Sequence, residues 1–193
     1  MNEIKTAKRA GFAEVFFDWA PPLVFAAVCT VLMFMYIAAP FTVASASMAD
    51  TIQVNDSVIV SRLPYTPGRG DIILFQKYGW QGTYDEETGQ YIPLCKRIIG
   101  IEGDMIGYDG GTLFLNNEPL DEPYIREIMR QWTAYWPMAL PFTVPEGFVF
   151  VMGDNRNNSH DSRSLDIGFV DQRSIIGPVI WRIAPLSRFG PVR

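Results

Sequence analysis

A long uncharged segment near the N-terminus constrains the fold of this chain more than any other feature. No charged residue lies between Asp18 and Asp50, and residues 23–39 are almost wholly apolar. Extended by four residues at its N-terminal end, this run reaches about 20 residues, the length that a helix needs to cross a ~30 Å hydrocarbon layer. We therefore predict one transmembrane helix at residues 19–40, preceded by a cytoplasmic segment at residues 1–18.

Basic residues are distributed unequally on the two sides of this segment. Lys5, Lys8 and Arg9 precede it, and the next basic residue after it is Arg62. Cytoplasmic flanks of membrane helices carry an excess of Lys and Arg. The distribution therefore predicts a chain that contacts the lipid bilayer, with its N-terminus in the cytoplasm and residues 41–193 on the extracytoplasmic side.

Two other readings of the apolar segment have to be considered. Ala44, Ser45 and Ala46 match the A-x-A cleavage site of a secretory signal peptide, and cleavage there would leave Ser47 as a new N-terminus. The apolar run, however, is longer than the roughly 7 to 15 residues of such a signal, which favours a retained anchor. A buried core helix is also disfavoured, because a soluble domain of this size rarely surrounds such a helix on all sides.

The remainder of the chain is predicted to be a mainly β domain. Short apolar stretches alternate with Gly, Pro, Asn and Asp, which is typical of strands joined by turns. We predict strands at residues 57–61, 71–75, 105–108, 112–115, 148–152 and 177–183. Two insertions are expected, an acidic hairpin or loop at 76–92 and a segment at 123–140. The aromatic residues of the second, Trp132, Tyr135 and Trp136, are expected to cover the core, with contact to a membrane surface as the alternative.

Composition excludes several classes of protein. The chain has 193 residues, a net charge of -5 and two cysteines. The negative charge argues against nucleic acid as a partner, and the two cysteines argue against a disulfide framework or a cysteine-based metal site. Phosphate-binding loops, H-E-x-x-H, G-x-S-x-G and S-x-x-K are all absent. We predict no metal and no cofactor, so any chemistry must use another arrangement.

Two serines, Ser45 and Ser47, follow the apolar segment by only a few residues, so their hydroxyls would act close to the membrane surface. A serine hydroxyl becomes a good nucleophile only when a base removes its proton. His160 is the single histidine of the chain. Asp161 is adjacent to it in sequence and therefore poorly placed to orient its ring, so we interpret His160 as a bystander in a polar turn.

Lys96 is the other candidate base. It lies within the apolar run 94–99, where a charged side chain is unexpected. Burial there would lower the pKa of its amine from ~10.4 and so provide a neutral base. The alternative is an edge-strand lysine whose amine lies in water, a common device against sheet aggregation. The residue pattern by itself leaves both interpretations open.

Five sequence blocks resemble, in order, the motifs of bacterial type I signal peptidase. They are residues 45–48, 56–60, 70–73, 96–100 and 153–163. The order and the length of the last block make coincidence improbable. The resemblance implies a coiled antiparallel β-sheet domain of the signal peptidase and LexA type, preceded by one N-terminal transmembrane helix. It also implies an endopeptidase in the bacterial inner membrane that removes signal peptides from secreted preproteins after small-x-small sites, such as Ala-x-Ala.

The resemblance also implies roles for individual residues. Ser47 would attack the scissile carbonyl, and Lys96 would take its proton. Ser159 would orient the Lys96 amine, and Ser45 would form the oxyanion hole with the backbone N–H of Ser47. The resemblance further implies two structural ion pairs. One joins Asp161 to Arg163, and the other joins Asp154 to Arg97. The substrate pocket would be lined by Phe41, Val43, Leu94 and Cys95.

Some positions depart from the family pattern and keep alternatives open. Asp50 adds a charge near the cleft, Asn55 replaces a usual glycine, and Asn157 stands where aspartate is common. Asp50 and Asn157 motivate one alternative, a membrane-tethered β module without activity. The short chain and its small insertions motivate another, a maturation peptidase dedicated to one secretion or conjugation system.

Overall fold

The computed structural model of the chain describes residues 12–49, 51–130, 132 and 140–192. These residues divide into two units between Ile37 and Ala38. The predictions that concern Asp50, Tyr135, Trp136 and the basic residues of the first eleven positions lie outside the described residues.

The N-terminal unit is one helix, α1, at Phe12–Tyr36. Its portion Phe16–Tyr36 is long and apolar enough to cross a membrane. None of this portion is buried, and its large apolar side chains face outward on all sides. Such a surface suits hydrocarbon and not water, so the helix is not the core helix of a soluble domain.

The end of the helix differs from the sequence prediction. The predicted span of 19–40 agrees with α1 as far as Tyr36, but strand β1 occupies Ala38–Thr42. This strand pairs antiparallel with β2 at Ser57–Ser61. The partner strand satisfies the backbone groups of these apolar residues, which therefore join the sheet instead of continuing the helix. A cut after Ala46 would sever the covalent link between β1 and the rest of the sheet, which favours a retained N-terminal segment.

The second unit is built almost wholly from antiparallel strands, which confirms the mainly β fold. In the described residues the strands are β1 Ala38–Thr42, β2 Ser57–Ser61, β3 Ile72–Phe75, β4 Tyr84–Asp85, β5 Gln90–Tyr91, β6 Leu94–Gly100, β7 Met105–Asp109, β8 Thr112–Leu115, β9 Glu118–Pro119, β10 Phe142–Thr143, β11 Phe148–Met152, β12 Val170–Asp171, β13 Ile175–Ala184 and β14 Gly190–Pro191. The six predicted strands are all present, within two residues at either end.

The largest sheet is curled and has the strand order β1-β2-β13-β3-β6-β11-β12, with β14 beside β13. A second sheet has the order β10-β7-β8-β9, and β4 pairs with β5 in the insertion at 76–92. Strand β6 lies in the interior of the large sheet, between β3 and β11. The large sheet thus surrounds β6 with strands that are far from it in sequence.

Apolar side chains pack on both faces of the large sheet. In β3, Ile72 and Leu74 belong to one buried cluster, whereas Ile73 and Phe75 belong to another. This alternation is what the two-residue period of a strand requires. A third cluster joins the two larger sheets and includes Phe142 and Phe150, against which Trp132 packs with ring centroids 6.3 and 6.2 Å away.

Candidate active site

Ser47 lies in a short helical turn just after β1. The turn is a 3-10 helix at Ala46–Met48, preceded by Ser45 in an extended conformation. Met48 is fully buried in the core cluster beneath the turn, and its carbonyl accepts a hydrogen bond from the backbone N–H of Ile52 at 2.6 Å. The buried Met48 side chain next to Ser47 thus fixes the direction in which the serine hydroxyl points.

A second segment holds the backbone of this turn from the other side. The backbone N–H of Asn155 donates to the Ser47 carbonyl, and its side-chain Nδ2 donates to the Ala46 carbonyl, both at 3.0 Å. Asn155 belongs to the sequence block 153–163, but the sequence predicts no role for it. Its position directly after Asp154 in that block is the one sequence feature that indicates a place near the site.

Lys96 lies in β6, and its side chain extends to the Ser47 hydroxyl. Its Nζ donates to Ser47 Oγ at 2.6 Å and to the Cys95 carbonyl at 3.0 Å. The residue is only 2% exposed, and β6 is bordered by β3 and β11. The interpretation of Lys96 as an edge-strand lysine with its amine in water is therefore wrong.

The surroundings of Lys96 favour a neutral amine. Burial lowers the pKa of Lys96 below its ordinary value, while the carboxylate of Asp161 acts in the opposite direction. Burial also raises the pKa of the neighbouring Cys95 thiol to about 12, so this thiol stays protonated and does not compete as a nucleophile.

Two hydrogen-bond donors lie beside the Ser47 hydroxyl. Ser45 Oγ is 3.2 Å from Ser47 Oγ. The backbone N–H of Ser47 belongs to the first turn of the 3-10 helix, where N–H groups have no partner within the helix. A carbonyl oxygen placed next to the nucleophile would therefore lie close to both groups.

Ser159 lies in the same region but makes no hydrogen bond to Lys96. Its Oγ is buried, lies near the Asp161 carboxylate and makes no hydrogen bond of ordinary length and angle among the described residues. It lies against Gly153, whose α-carbon also faces the Ser47 carbonyl, so a Cβ at position 153 would overlap both groups. The structure thus brings Ser159 near the nucleophile without the hydrogen bond that the resemblance implies.

Arg97 and Asp154 form a buried ion pair beside the site. Arg97 Nε donates to Asp154 Oδ1 at 2.9 Å and Nη2 donates to Oδ2 at 2.7 Å. The two side chains are 3% and 0% exposed. Thr51 Oγ1 also donates to this carboxylate, and the ring of Tyr124 lies 4.0 Å from the Arg97 guanidinium. This pair joins β6 to the start of the 153–163 loop.

Asp161 and Arg163 form a second buried pair within that loop. Arg163 Nε and Nη2 each donate to the carboxylate at 2.8 Å, and the backbone N–H of Gly153 donates to it at 3.0 Å. Burial acts to raise the pKa of Asp161, but the Arg163 guanidinium and the Gly153 N–H outweigh it and hold that pKa below the usual range. The pair closes the loop on itself around Ser159.

Two further ion-pair groups were not predicted from the sequence. Arg156 lies 2.6 Å from Glu122, and both side chains are nearly buried. Asp56, which is fully buried, accepts hydrogen bonds from Arg182 at 3.1 Å and Arg188 at 2.5 Å. The partners in each group are far apart in sequence, and no local pattern connects them.

A small cavity opens beside the nucleophile turn. Its volume is about 180 Å³, below the ~300 to 1,000 Å³ of ordinary ligand pockets, so it suits a small side chain. The four predicted pocket residues line it together with others, and the full lining is Phe41, Val43, Ala44, Ser45, Gly82, Thr83, Ile92, Pro93, Leu94 and Cys95. Gly82, Thr83 and Ile92 come from the insertion at 76–92 and were not predicted.

Asn55 and Asn157, two of the positions that depart from the family pattern, lie within the described residues. Asn55 adopts a left-handed conformation with φ of 68°, which asparagine tolerates better than most residues other than glycine. Asn157 donates to Glu127 and to the Ile128 carbonyl, both at 3.2 Å. His160 stacks on Trp80 and hydrogen-bonds neither Ser47 nor Lys96, in line with its interpretation as a bystander to the chemistry.

Comparison with protein families identifies the class to which this fold and site belong. A family model described as signal peptidase, peptidase S26 matches residues 16–184. The chain therefore belongs to the signal peptidase family S26, as the five sequence blocks predicted. Membership of this family implies serine endopeptidase activity.

Individual relatives carry more specific names. A probable signal peptidase I-1 from Synechocystis sp. is 36% identical over 174 residues, which cover 88% of this chain and 83% of the relative. Signal peptidase I from Leptolyngbya laminosa is 36% identical over 150 residues, covering 76% and 68%. Signal peptidase I from Bacillus licheniformis is 31% identical over 168 residues, covering 83% and 84%. A crystal structure of a signal peptidase I from Enterococcus faecalis V583 shares 33% identity and a TM-score of 0.47, covering 61% of this chain and 99% of that one.

Proposed function

We propose that this protein is a signal peptidase I that removes N-terminal signal peptides from secreted preproteins, with Ser47 as nucleophile and Lys96 as general base. The observation that carries the proposal is the 2.6 Å contact between Lys96 Nζ and Ser47 Oγ in a buried setting. A lysine amine acts as a base only when it is neutral, and burial lowers the pKa of Lys96 in the required direction.

In the first step, the neutral Lys96 amine takes the proton of Ser47 as Ser47 Oγ forms a bond to the scissile carbonyl carbon. Negative charge develops on the carbonyl oxygen. Ser45 Oγ and the Ser47 N–H would donate to this oxygen as an oxyanion hole. The Lys96 ammonium then protonates the leaving amine, which is the N-terminus of the mature protein, and an acyl-enzyme remains.

In the second step, water replaces the leaving amine. Lys96, neutral again, takes a proton from this water while the water oxygen attacks the acyl carbonyl. As the acyl bond to Ser47 Oγ breaks, Lys96 returns the proton to Ser47, and the signal peptide leaves as a carboxylic acid whose remaining proton passes to solvent. Atoms and charge balance without a metal or a cofactor.

We assign Ser159 the role of a positioning residue. When Lys96 is protonated, its ammonium group carries one more N–H than the neutral amine. The Ser159 Oγ is buried beside the Asp161 carboxylate and makes no hydrogen bond of ordinary geometry among the described residues. Buried hydroxyls of this kind often mark a functional position, which supports Ser159 as the acceptor for this N–H.

The substrate class follows from the size of the cavity. A cavity of about 180 Å³ with apolar walls accepts small side chains and rejects larger ones by overlap. This supports cleavage after small-x-small sequences such as Ala-x-Ala. Substrate residues in an extended conformation would lie between two segments of the chain. One segment includes Phe41 and Val43, and the other includes Leu94.

We further propose a single-pass topology in the bacterial cytoplasmic membrane. Residues 1–18 would be cytoplasmic, the helix from Trp19 to Tyr36 would provide the membrane segment, and the β unit from Ala38 onward would form the extracytoplasmic catalytic domain. The apolar helix and the basic residues that precede it in sequence support this arrangement.

Cleavage of a defined preprotein tests the proposal. Full-length enzyme in detergent is expected to cut a preprotein after its Ala-x-Ala site, and mass spectrometry of the products locates the cut. Ser47→Ala is expected to remove the activity while the melting temperature stays unchanged. Cleavage by Ser47→Ala at the wild-type rate, or cuts at unrelated positions by the wild type, would show that the assignment is wrong.

A further inference from the structure

One wall of the small cavity comes from the insertion at 76–92 and not from the shared sequence blocks. Gly82, Thr83 and Ile92 line the cavity opposite β1. The backbone N–H of Ile92 donates to the Thr83 carbonyl at 2.6 Å, which joins the two sides of the insertion. The size of the cavity therefore depends on where this insertion is held.

Trp80 holds this wall in place. The backbone N–H and the Oγ1 of Thr83 both donate to the Trp80 carbonyl, at 3.1 and 3.0 Å. The indole of Trp80 packs directly on Gly82, and a Cβ at position 82 would overlap the ring. Any displacement of Trp80 would therefore move Gly82 and Thr83 relative to the cavity.

His160 in turn holds Trp80. The two rings stack with centroids 4.5 Å apart and planes inclined by 12°. The His160 ring is fixed at both nitrogens, because Nε2 lies 2.9 Å from Asp166 Oδ2 and Nδ1 lies 3.2 Å from Ser164 Oγ. Trp80 also packs against the buried cluster that includes Ile73 and Phe75.

A second contact ties the insertion to the same loop. Lys77 Nζ donates to the Ile167 carbonyl at 2.7 Å. The insertion is thus attached to residues 160–167 at two points, the ring stack and this hydrogen bond. Loops that are fixed in this way resist displacement by a ligand, because packed interiors deform little.

We propose that the Trp80–His160 stack sets the upper size limit for the substrate side chain that enters this cavity, by holding the Gly82–Thr83 wall against it. Trp80 and His160 are positioning residues for substrate selection, acting through the wall and not on the reacting atoms. This inference rests on the proposed function, since it treats the cavity as the site of a small side chain of the signal peptide.

The test compares substrates that differ in side-chain size. Full-length enzyme is given two peptide series that carry Ala or Val at the first or at the third position before the cut, and kcat/KM is measured for each. Trp80→Ala is expected to raise the acceptance of Val relative to Ala at one of these positions by about three- to tenfold, part of the roughly 10- to 200-fold that one methylene group can decide in an apolar pocket. His160→Ala is expected to act in the same direction, and His160→Phe, which keeps a flat ring, is expected to stay near the wild type.

Tyr78→Ala provides the matched control. Tyr78 lies in the same insertion, is 73% exposed and contacts Tyr91 edge-on, but it does not line the cavity. Its removal is expected to leave the ratio of Val to Ala acceptance unchanged. Melting temperatures of all variants report on folding. Should Trp80→Ala unfold, His160→Ala decides the same ratio, since the His160 side chain is 43% exposed and its loss disturbs the core less.

Two results would overturn the inference. In the first, folded Trp80→Ala and His160→Ala keep the wild-type ratio at both positions. In the second, kcat/KM falls to the same extent for all substrates, which indicates a general structural role. Failure of the proposed function is distinguishable, because the wild type would then cleave no peptide of either series.

Discussion

At the scale of single residues, the protonation state of Lys96 decides whether the site can work. In the described structure one hydroxyl and one carbonyl accept hydrogen bonds from its amine, and little water reaches it. A charged ammonium in such surroundings is poorly solvated, and its proton is lost more readily than in water. The same burial that makes Lys96 costly as a cation makes it useful as a base.

This predicts the direction of the pH dependence. Only the neutral amine can accept the Ser47 proton, and the charged form predominates below the pKa of Lys96. We therefore expect kcat/KM to rise as pH increases through this lowered pKa, and to level off clearly below the ordinary lysine value of ~10.4. Initial rates at low substrate concentration, measured across the pH range in which the protein stays folded, check this. An inflection at the ordinary lysine value, or a rate that falls over the same range, would contradict it.

Gly153 gives a second prediction at this scale. A methyl group there would overlap both the Ser159 hydroxyl and the Ser47 carbonyl, so Gly153→Ala must displace the nucleophile turn or the loop. We expect kcat to fall by about 10²-fold, since a displacement of ~1 Å can have that effect. Steady-state kinetics measures the loss.

The matched control for Gly153→Ala is Gly107→Ala in β7. Its new methyl group would meet its nearest neighbour, Phe114, at an ordinary 3.4 Å. We expect this variant to keep nearly all of the activity. If both variants were equally active, the close packing around Gly153 would have no catalytic consequence.

Local motifs indicated Ser47 and Lys96, but they left the contacts around these residues undetermined. The apolar run around Lys96 was compatible with two environments, and only the position of β6 between β3 and β11 separates them. Asn155 and Gly153 act through backbone groups of the nucleophile turn, which lies far away in sequence. No local pattern reports such contacts, because they depend on how distant segments pack.

At the scale of elements, the loop 153–163 holds the site together. It binds the backbone of the nucleophile turn through Asn155, it is joined to β6 through the Arg97–Asp154 pair, and it closes on itself through the Asp161–Arg163 pair. Both pairs are almost wholly buried. In a buried pair, removal of one partner leaves an uncompensated charge, so the loop is expected to be sensitive to single substitutions.

Arg163→Met tests this sensitivity. It leaves the Asp161 carboxylate buried without its cation, and we expect the free energy of unfolding to fall by about 3 to 5 kcal/mol. The double variant Asp161→Leu with Arg163→Met removes both charges and is expected to regain part of this loss. Denaturant unfolding followed by circular dichroism gives the values.

Arg173→Gln serves as the control for Arg163→Met. Arg173 pairs with Asp171, but its side chain is 90% exposed, and exposed pairs contribute only ~0 to 1 kcal/mol. We expect its substitution to change the free energy of unfolding by less than about 1 kcal/mol. Equal losses for Arg163→Met and Arg173→Gln would contradict the distinction between the two kinds of pair.

Elements with a strong apolar pattern were predictable, and short ones were not. The alternation in residues 57–61 and the apolar run at 148–152 indicated β2 and β11. The two-residue strands β9, β10, β12 and β14 exist because partner strands lie beside them. For the same reason Ala38–Thr42 joins the sheet despite its resemblance to the end of a membrane helix.

At the scale of the whole molecule, the chain consists of an apolar helix and a β unit with its own core. Deletion of residues 1–37 is therefore expected to leave the β unit folded, with the circular dichroism of an antiparallel sheet. We expect membranes that contain the full chain to retain it during alkaline carbonate extraction, and the truncated chain to be released. Release of both would show that the helix does not span the bilayer.

The central claim is that Lys96 is the base that activates Ser47, and single-turnover cleavage by Lys96→Met tests it most directly. Enzyme in excess over a preprotein with an Ala-x-Ala site isolates the chemical step, and Met keeps the length and apolar contacts of the lysine stem. We predict that the rate falls by about 10²- to 10⁴-fold or more, with no loss in melting temperature. Cleavage by the folded Lys96→Met variant at the wild-type rate would contradict the account.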